Sequence, residues 1–213
     1  MHEDLLQRHL ELVIEANKTT NITRISSWED GMLLHVEDSL IGLPELSAAP
    51  EGWYADIGSG AGYPGIPLAI ETGRRTLLVD SVGKKTAILD GFIEELGLNN
   101  VSTYTGRIED LARDYPYAFT AITARALAQL SILMELAAPL LQKGGRLICY
   151  KAHVEQQELD HALGLQDKLG MELISDRIVA LEDHQRRIIC FEKTAKERIK
   201  LPRKTGLAQK RPL

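Results

Sequence analysis

The chain has 213 residues, 44% of them hydrophobic and 26% charged, enough for one main domain with a sizeable core and an appendage. No run approaches the roughly 18 apolar residues of a membrane span, and the acidic, amphipathic start "MHEDLLQRHLELVIEANK" lacks the zones of a signal peptide, so the expectation is a cytoplasmic protein with no membrane partner. The net charge of −5 conceals eight Lys or Arg against one acid in residues 193–213, which is +7 there and therefore −12 on the rest, a pattern fitting either a polyanionic partner or a solvated tail.

Leu6, Leu10, Val13 and Ile14 recur at helical spacing in residues 3–17. "SSWEDGMLLHVEDSLIGLP" predicts a second helix, capped by a Ser26 to Glu29 box and closed by Gly42 and Pro44. From Trp53 the grammar changes to short β-rich runs, "WYADI", "TLLVD", "VSTYT", "FTAITA" and "RLICYK", alternating with helical segments that stop at Gly97 and at Gly144-Gly145. Strand-helix alternation implies a parallel sheet. A helix near 154–169 precedes "ELISDRIVAL" and "RRIICFE", which flank the turn "EDHQ" and predict a closing antiparallel pair. The fold class is therefore α/β, a doubly wound, mostly parallel sheet with an antiparallel last strand. The chain divides into an N-terminal helical segment (1–46), a sheet domain (53–194) and a basic tail (195–213), with the linker at Ser47–Gly52.

The bend "DIGSGAGYPGIPLAI" (56–70) holds two overlapping patterns. Gly60, Gly62 and Gly65 form G-x-G-x-x-G, the dinucleotide fingerprint, while Asp56, Gly58, Gly60 and Gly62 form the D-x-G-x-G-x-G of methyl-donor enzymes. Asp80, 20 residues after Gly60, can hold an adenosine ribose in either case. A dinucleotide places its anionic pyrophosphate at the bend, whereas S-adenosylmethionine brings a sulfonium and an ammonium, so an acid at position 56 favours the methyl donor. Pro64 and Pro67 delay the helix start and weaken the dinucleotide arrangement. A nicotinamide-dependent oxidoreductase is the rival, and a catalytically inert RNA-binding protein a third possibility. Scattered histidines and two cysteines in apolar runs offer no metal site, and the P-loop-like "GKKT" lacks its first glycine.

Together "NITRI", "HVEDSL", the bend, "DSVGKKTAIL", "GRIED", "ARALAQL" and the terminal "LPRKTGLAQKRPL" resemble the ribosomal RNA small subunit methyltransferase G family, also called glucose-inhibited division protein B, along the whole chain. The resemblance implies an S-adenosylmethionine-dependent enzyme that methylates N7 of a guanine in bacterial 16S rRNA, within the small ribosomal subunit or an assembly intermediate. By motif, Gly58, Tyr63, Asp80, Ile108, Glu109 and Arg125 are expected around the cofactor, joined by Asp56, Gly60, Gly62, Ser81 and Val82. Ile108 is equally readable as a core aliphatic residue. Glu37, Ala124 and Ala152 depart from the family's usual wording.

His35, Asp38 and Ser39 share one helix face and are candidates either for a functional cluster at the transfer cleft or for a polar seam that fastens the helix to the sheet. Guanine N7 carries no proton, so no catalytic acid or base is required. Lys84, Lys85, Arg125, Lys151, Arg203, Lys204, Lys210 and Arg211 are the expected phosphate contacts. On this basis truncation after Leu201 is expected to weaken rRNA methylation and leave cofactor affinity nearly unchanged. A monomer is expected.

Overall fold

The computed structural model describes residues 2–213. Seven strands form one sheet: β1 (Tyr54–Ile57), β2 (Thr76–Asp80), β3 (Val101–Thr105), β4 (Phe119–Arg125), β5 (Leu141–Lys151), β6 (Met171–Leu181) and β7 (His184–Lys193). Their order is β3-β2-β1-β4-β5-β7-β6, parallel through β5, with β7 antiparallel to β5 and β6. β1, β2 and β4 are apolar runs buried on both faces, as central parallel strands covered by helices must be. The edge strand β6 alternates exposed and half-buried residues between its buried ends Met171 and Leu181, with charges at Glu172, Asp176 and Arg177.

The crossover helices are α5 (Gly65–Thr72), α6 (Gly83–Glu95), α7 (Ile108–Asp114), α8 (Leu130–Ala137), and α9 (Gln156–Gly164) with α10 (Gln166–Leu169). Ahead of the sheet come α1 (Glu3–Asn17), α2 (Trp28–Gly31), a π-helical turn (Met32–Glu37), α3 (Asp38–Leu40) and α4 (Leu43–Ser47), and a short α11 (Leu207–Lys210) ends the chain. The strand order reverses between β1 and β4, and this switch point opens a crevice at the carboxyl ends of the strands, where ligands of open α/β sheets bind.

Two sequence expectations shift. The helix cap is Ser27, whose hydroxyl accepts from the Asp30 amide at 3.1 Å, one residue beyond the predicted Ser26 to Glu29 box; the two pairs overlap, and nothing local separates them. The helix expected to reach Gly144-Gly145 stops at Ala137, because Pro139 has no amide to donate and clashes with the preceding turn. Leu140 and Leu141 then enter the core and β5 begins.

α1 packs Leu6, Leu10 and Val13 with Ile66, Ile70, Leu89 and Phe92 of α5 and α6, so the N-terminal segment shares its core with the sheet domain. Gly31 allows the closest approach: a Cβ there would lie 2.5 Å from Leu10 Cδ1. Through this contact α1 holds the π-helical turn, with His35, over the switch point.

Candidate active site

The glycine bend is built on its own main chain. Gly58, Gly60 and Gly62 adopt φ of 76°, 57° and 92°, the left-handed region that side-chain-bearing residues avoid. Asp80, at the end of β2, ties the bend to the next turn, accepting the Gly60 amide on Oδ2 at 3.2 Å and the Val82 amide on Oδ1 at 2.9 Å. Beside it lies a cavity of about 310 Å³ lined by Gly58, Asp80, Ser81, Val82, Ile108 and Glu109 from the sequence-predicted set, and by Val79, Lys85, Gly106, Arg107, Ala126, Leu127, Leu136, Gly206 and Gln209. Lys85 Nζ stands 4.0 Å from Asp80, so this expected phosphate ligand faces the cavity beside Asp80.

Asp56 is elsewhere. It is fully buried beneath the bend, accepting from Thr123 Oγ1 at 2.7 Å and from the Gly65 amide at 3.2 Å. Burial pushes its carboxyl up to about 6 despite these bonds and the nearby Arg125 charge. The sequence expectation that Asp56 faces the cofactor's cations is therefore corrected: its carboxylate has no exposed surface and occupies the start of α5, where a dinucleotide would place its pyrophosphate. The arrangement requires Gly65, since a Cβ there would approach Asp56 Oδ2 to 2.8 Å and Leu78 Cδ2 to 2.4 Å.

Gly60, Gly62, Tyr63 and Arg125 also fall outside the cavity lining. Gly60 acts through its bond to Asp80. Tyr63 is sandwiched between His9 and His35, ring centroids 4.4 Å away on each side, and its buried hydroxyl has no hydrogen-bond partner. Arg125 is directed onto Asp38, Nη1 to Oδ2 at 2.7 Å, and onto the Leu34 carbonyl at 3.0 Å.

Of these four only Arg125 borders a second, more open cavity of about 680 Å³ between the π-helical turn, the ends of β4 and β5 and the β6–β7 hairpin, lined also by His35, Asp38, Tyr150, Lys151, His153, His184 and Arg186 among others. Asp38, with no exposed side-chain surface, takes Arg125 on one oxygen and Arg186 on the other. Ala126 lines both cavities and sits at φ 52°, a strained conformation for a residue with a Cβ, at the point where they meet.

The histidine tautomer follows from its partners. Arg125 Nη2 can only donate, so His35 Nδ1 accepts at 3.2 Å and the ring proton lies on Nε2, 2.9 Å from Thr23 Oγ1. Burial first, and then the Arg125 charge, lowers His35 to about 4, so the ring is neutral at pH 7. Ser39 borders neither cavity: its hydroxyl donates to the His35 carbonyl inside the helix, and its own carbonyl receives the Tyr150 hydroxyl at 2.6 Å. The three candidates form the seam that joins helix to sheet, with His35 and Asp38 alone also facing the open side.

The expected phosphate ligands divide likewise. Lys84, Lys204, Lys210 and Arg211 are exposed. Lys151 is engaged by Glu158 at 2.8 Å, and Arg203 is clamped by both oxygens of Glu135 at 2.7 and 2.6 Å, so neither projects freely. Thr23, within the quoted "NITRI", and Arg186, in the "RR" after the hairpin turn, were signalled by motif and charge but not assigned; the roles of Gly206 and Gln209 carry no local signal at all.

The family model described as rRNA small subunit methyltransferase G matches residues 2–190. The ribosomal RNA small subunit methyltransferase G of Desulfitobacterium hafniense is 39% identical over 96% of this chain and 87% of its own length, and that of Streptococcus sanguinis 36% identical over 99% and 91%. Among solved structures, precorrin-6y C5,15-methyltransferase from Geobacter metallireducens superposes with a TM-score of 0.57 at 15% identity, covering 74% of this chain and 88% of that one. Geranyl diphosphate methyltransferase in complex with SAM gives 0.60 at 12% identity, over 75% and 85%. These distant likenesses establish the fold, a class I methyltransferase sheet with an N-terminal helical piece and an antiparallel hairpin. Matched from its first helix into β7, and by relatives along nearly its whole length, the chain belongs to the rRNA small subunit methyltransferase G family.

Proposed function

We propose that this protein, as a monomer, transfers the methyl group of S-adenosylmethionine to N7 of a guanine in small-subunit ribosomal RNA, with the cofactor in the cavity beside Asp80 and the RNA approaching over the cavity beside Asp38. The carrying observation is that the family match spans both cavities, apart from Gly206 and Gln209.

The residues suit the cofactor. Both Asp80 oxygens already accept a backbone amide and each keeps a lone pair for a ribose hydroxyl. Ile108 and Leu127 offer apolar faces for an adenine. When bound, S-adenosylmethionine supplies an electrophilic methyl carbon on a sulfonium.

The protein's own task is then orientation. N7 presents an in-plane lone pair and no proton, so no base need act first, and alignment can contribute up to roughly 7–11 kcal/mol of the barrier. His35 accordingly serves no proton transfer: its Nδ1 is taken by Arg125 and its Nε2 proton by Thr23. The pair holds the π-helical turn against β4 and fixes the wall between the cavities. Arg125 and Arg186 share the single carboxylate of Asp38, and Lys151 is already paired with Glu158, so the outer cavity keeps an excess positive charge on its arginines, suited to phosphate. Three Phe and six Tyr in the chain leave little stacking surface, which favours a folded RNA or assembled particle over a single strand.

The test is incubation with radiolabelled S-adenosylmethionine and either small ribosomal subunits or naked rRNA, followed by mapping of the label. Label on one guanine N7, stronger with subunits, is the expected result; label on another base or atom, or none, overturns the proposal.

A further inference from the structure

The basic tail is not a loose arm. Arg203 is forked onto Glu135 of α8, and its Nη2 also donates to the Arg211 carbonyl at 2.8 Å, folding the segment back on itself. Between these anchors Ala208, 1% exposed, packs on Ile132 and Leu136 of α8. The Gly206 amide donates to Glu109 Oε1 at 2.6 Å, and Thr205 Oγ1 reaches Asp110 at 3.2 Å. Gly206 and Gln209 thereby become walls of the cavity beside Asp80, and Leu136 belongs to both the cavity and the patch that seats Ala208.

We propose that residues 203–211 complete the cofactor site, with Gly206 and Gln209 as cofactor-side residues and Arg203 as the positioning residue that holds them there. The proposal rests on assigning this cavity to S-adenosylmethionine. A ligand touching walls supplied by the terminal segment binds the docked form better than the undocked one, so docking and binding stabilise each other by the same factor. This reverses the expectation that truncation spares cofactor affinity. Gly206 shows how local the device is: its φ of 78° is left-handed, yet nothing lies within 4 Å of a Cβ placed there, so Gly206→Ala strains the turn without a clash.

The probe is S-adenosylhomocysteine, titrated calorimetrically into the full chain, a chain ending at Leu201, Gly206→Ala and Glu135→Gln, with trypsin cleavage at Lys204 and Lys210 followed in the full chain. The expected result is at least tenfold weaker binding on truncation, a severalfold loss for each substitution, and slower cleavage at both lysines when the probe saturates. Equal affinity of the truncated and full chains overturns the proposal, as does cleavage indifferent to the probe. Should the truncated chain fail to fold, unchanged affinity in Gly206→Ala and Glu135→Gln overturns it equally. No binding by the intact chain defeats the cofactor assignment itself, and the proposal with it; binding without linkage defeats the proposal alone.

Discussion

The two cavities share Ala126 and the same edge of the sheet but are held by different means. The one beside Asp80 is shaped mostly by main chain: left-handed glycines, and a carboxylate holding amides 20 and 2 residues from it in sequence. The one beside Asp38 is held by side chains brought from far apart, with Asp38 bonded to Arg125 and Arg186 at separations of 87 and 148 residues. A site defined by local turns tolerates loss of a side chain as a loss of ligand. A site defined by buried ion pairs suffers it as a loss of structure.

That contrast is open to attack at several points. The largest stability effect is expected from Asp38→Ala, which leaves two mostly buried guanidinium groups without their carboxylate. Breaking a buried pair costs about 3–5 kcal/mol, and denaturant melts measure it. Asp80→Asn should do the opposite, changing the midpoint little while weakening S-adenosylmethionine binding by roughly 10- to 100-fold in calorimetry, the scale of a lost charge-assisted hydrogen bond or two. If Asp38→Ala keeps its midpoint or Asp80→Asn keeps its affinity, the distinction between the cavities fails.

His35→Ala sharpens the comparison from within the seam. It should cost about 1 kcal/mol of stability per lost hydrogen bond and leave turnover at saturating cofactor within tenfold of the parent. A large turnover loss at an unchanged midpoint would instead place His35 in the chemistry.

A pH effect of smaller size comes from His9, fully buried in the same stack and donating from Nε2 to the Ala61 carbonyl at 3.1 Å. Burial lowers His9 to about 3 and His35 to about 4. Between those values and the ordinary 6.5 the unfolded chain binds protons that the folded chain refuses, so their contribution is complete above pH 6.5 and is lost as pH falls toward 4 and then 3. Asp56, raised to about 6, acts in the opposite direction, its cost growing as pH rises from 3.8 to 6. His9→Phe should therefore flatten the decline of the melting temperature between pH 6.5 and 4. An equally steep decline would remove His9 as a cause.

Least of all, Lys84→Ala, at an exposed position, should lower affinity for rRNA alike for all sequences and reduce the salt slope by about 1, with cofactor affinity unmoved.

The bend, Asp80 and the strand-helix alternation were legible because each is a short-range device: glycines demand positive φ where they stand, and a carboxylate at a strand end reaches amides of adjacent turns. The overlapping glycine patterns were resolved in the right direction on an incomplete premise. The acid at position 56 does disfavour a diphosphate, but by filling the start of α5 from below rather than by facing a cation. Motif resemblance also carried Arg125 to the cofactor, whereas its side chain is turned onto Asp38.

Sequence by itself determined the α/β alternation, the antiparallel closing pair, the bend with its partner acid, and the family. All follow from local periodicity, turn chemistry and ordered motifs. Only the tertiary structure decided which charges are free. Arg203 and Lys204 look alike along the chain, yet one is clamped by Glu135 while the other faces solvent, because an ion pair is chosen by proximity in space and not by residue type. The same folding carries Gly206 and Gln209 across more than a hundred residues of chain to the cavity beside Asp80, a placement that no spacing within "LPRKTGLAQKRPL" encodes.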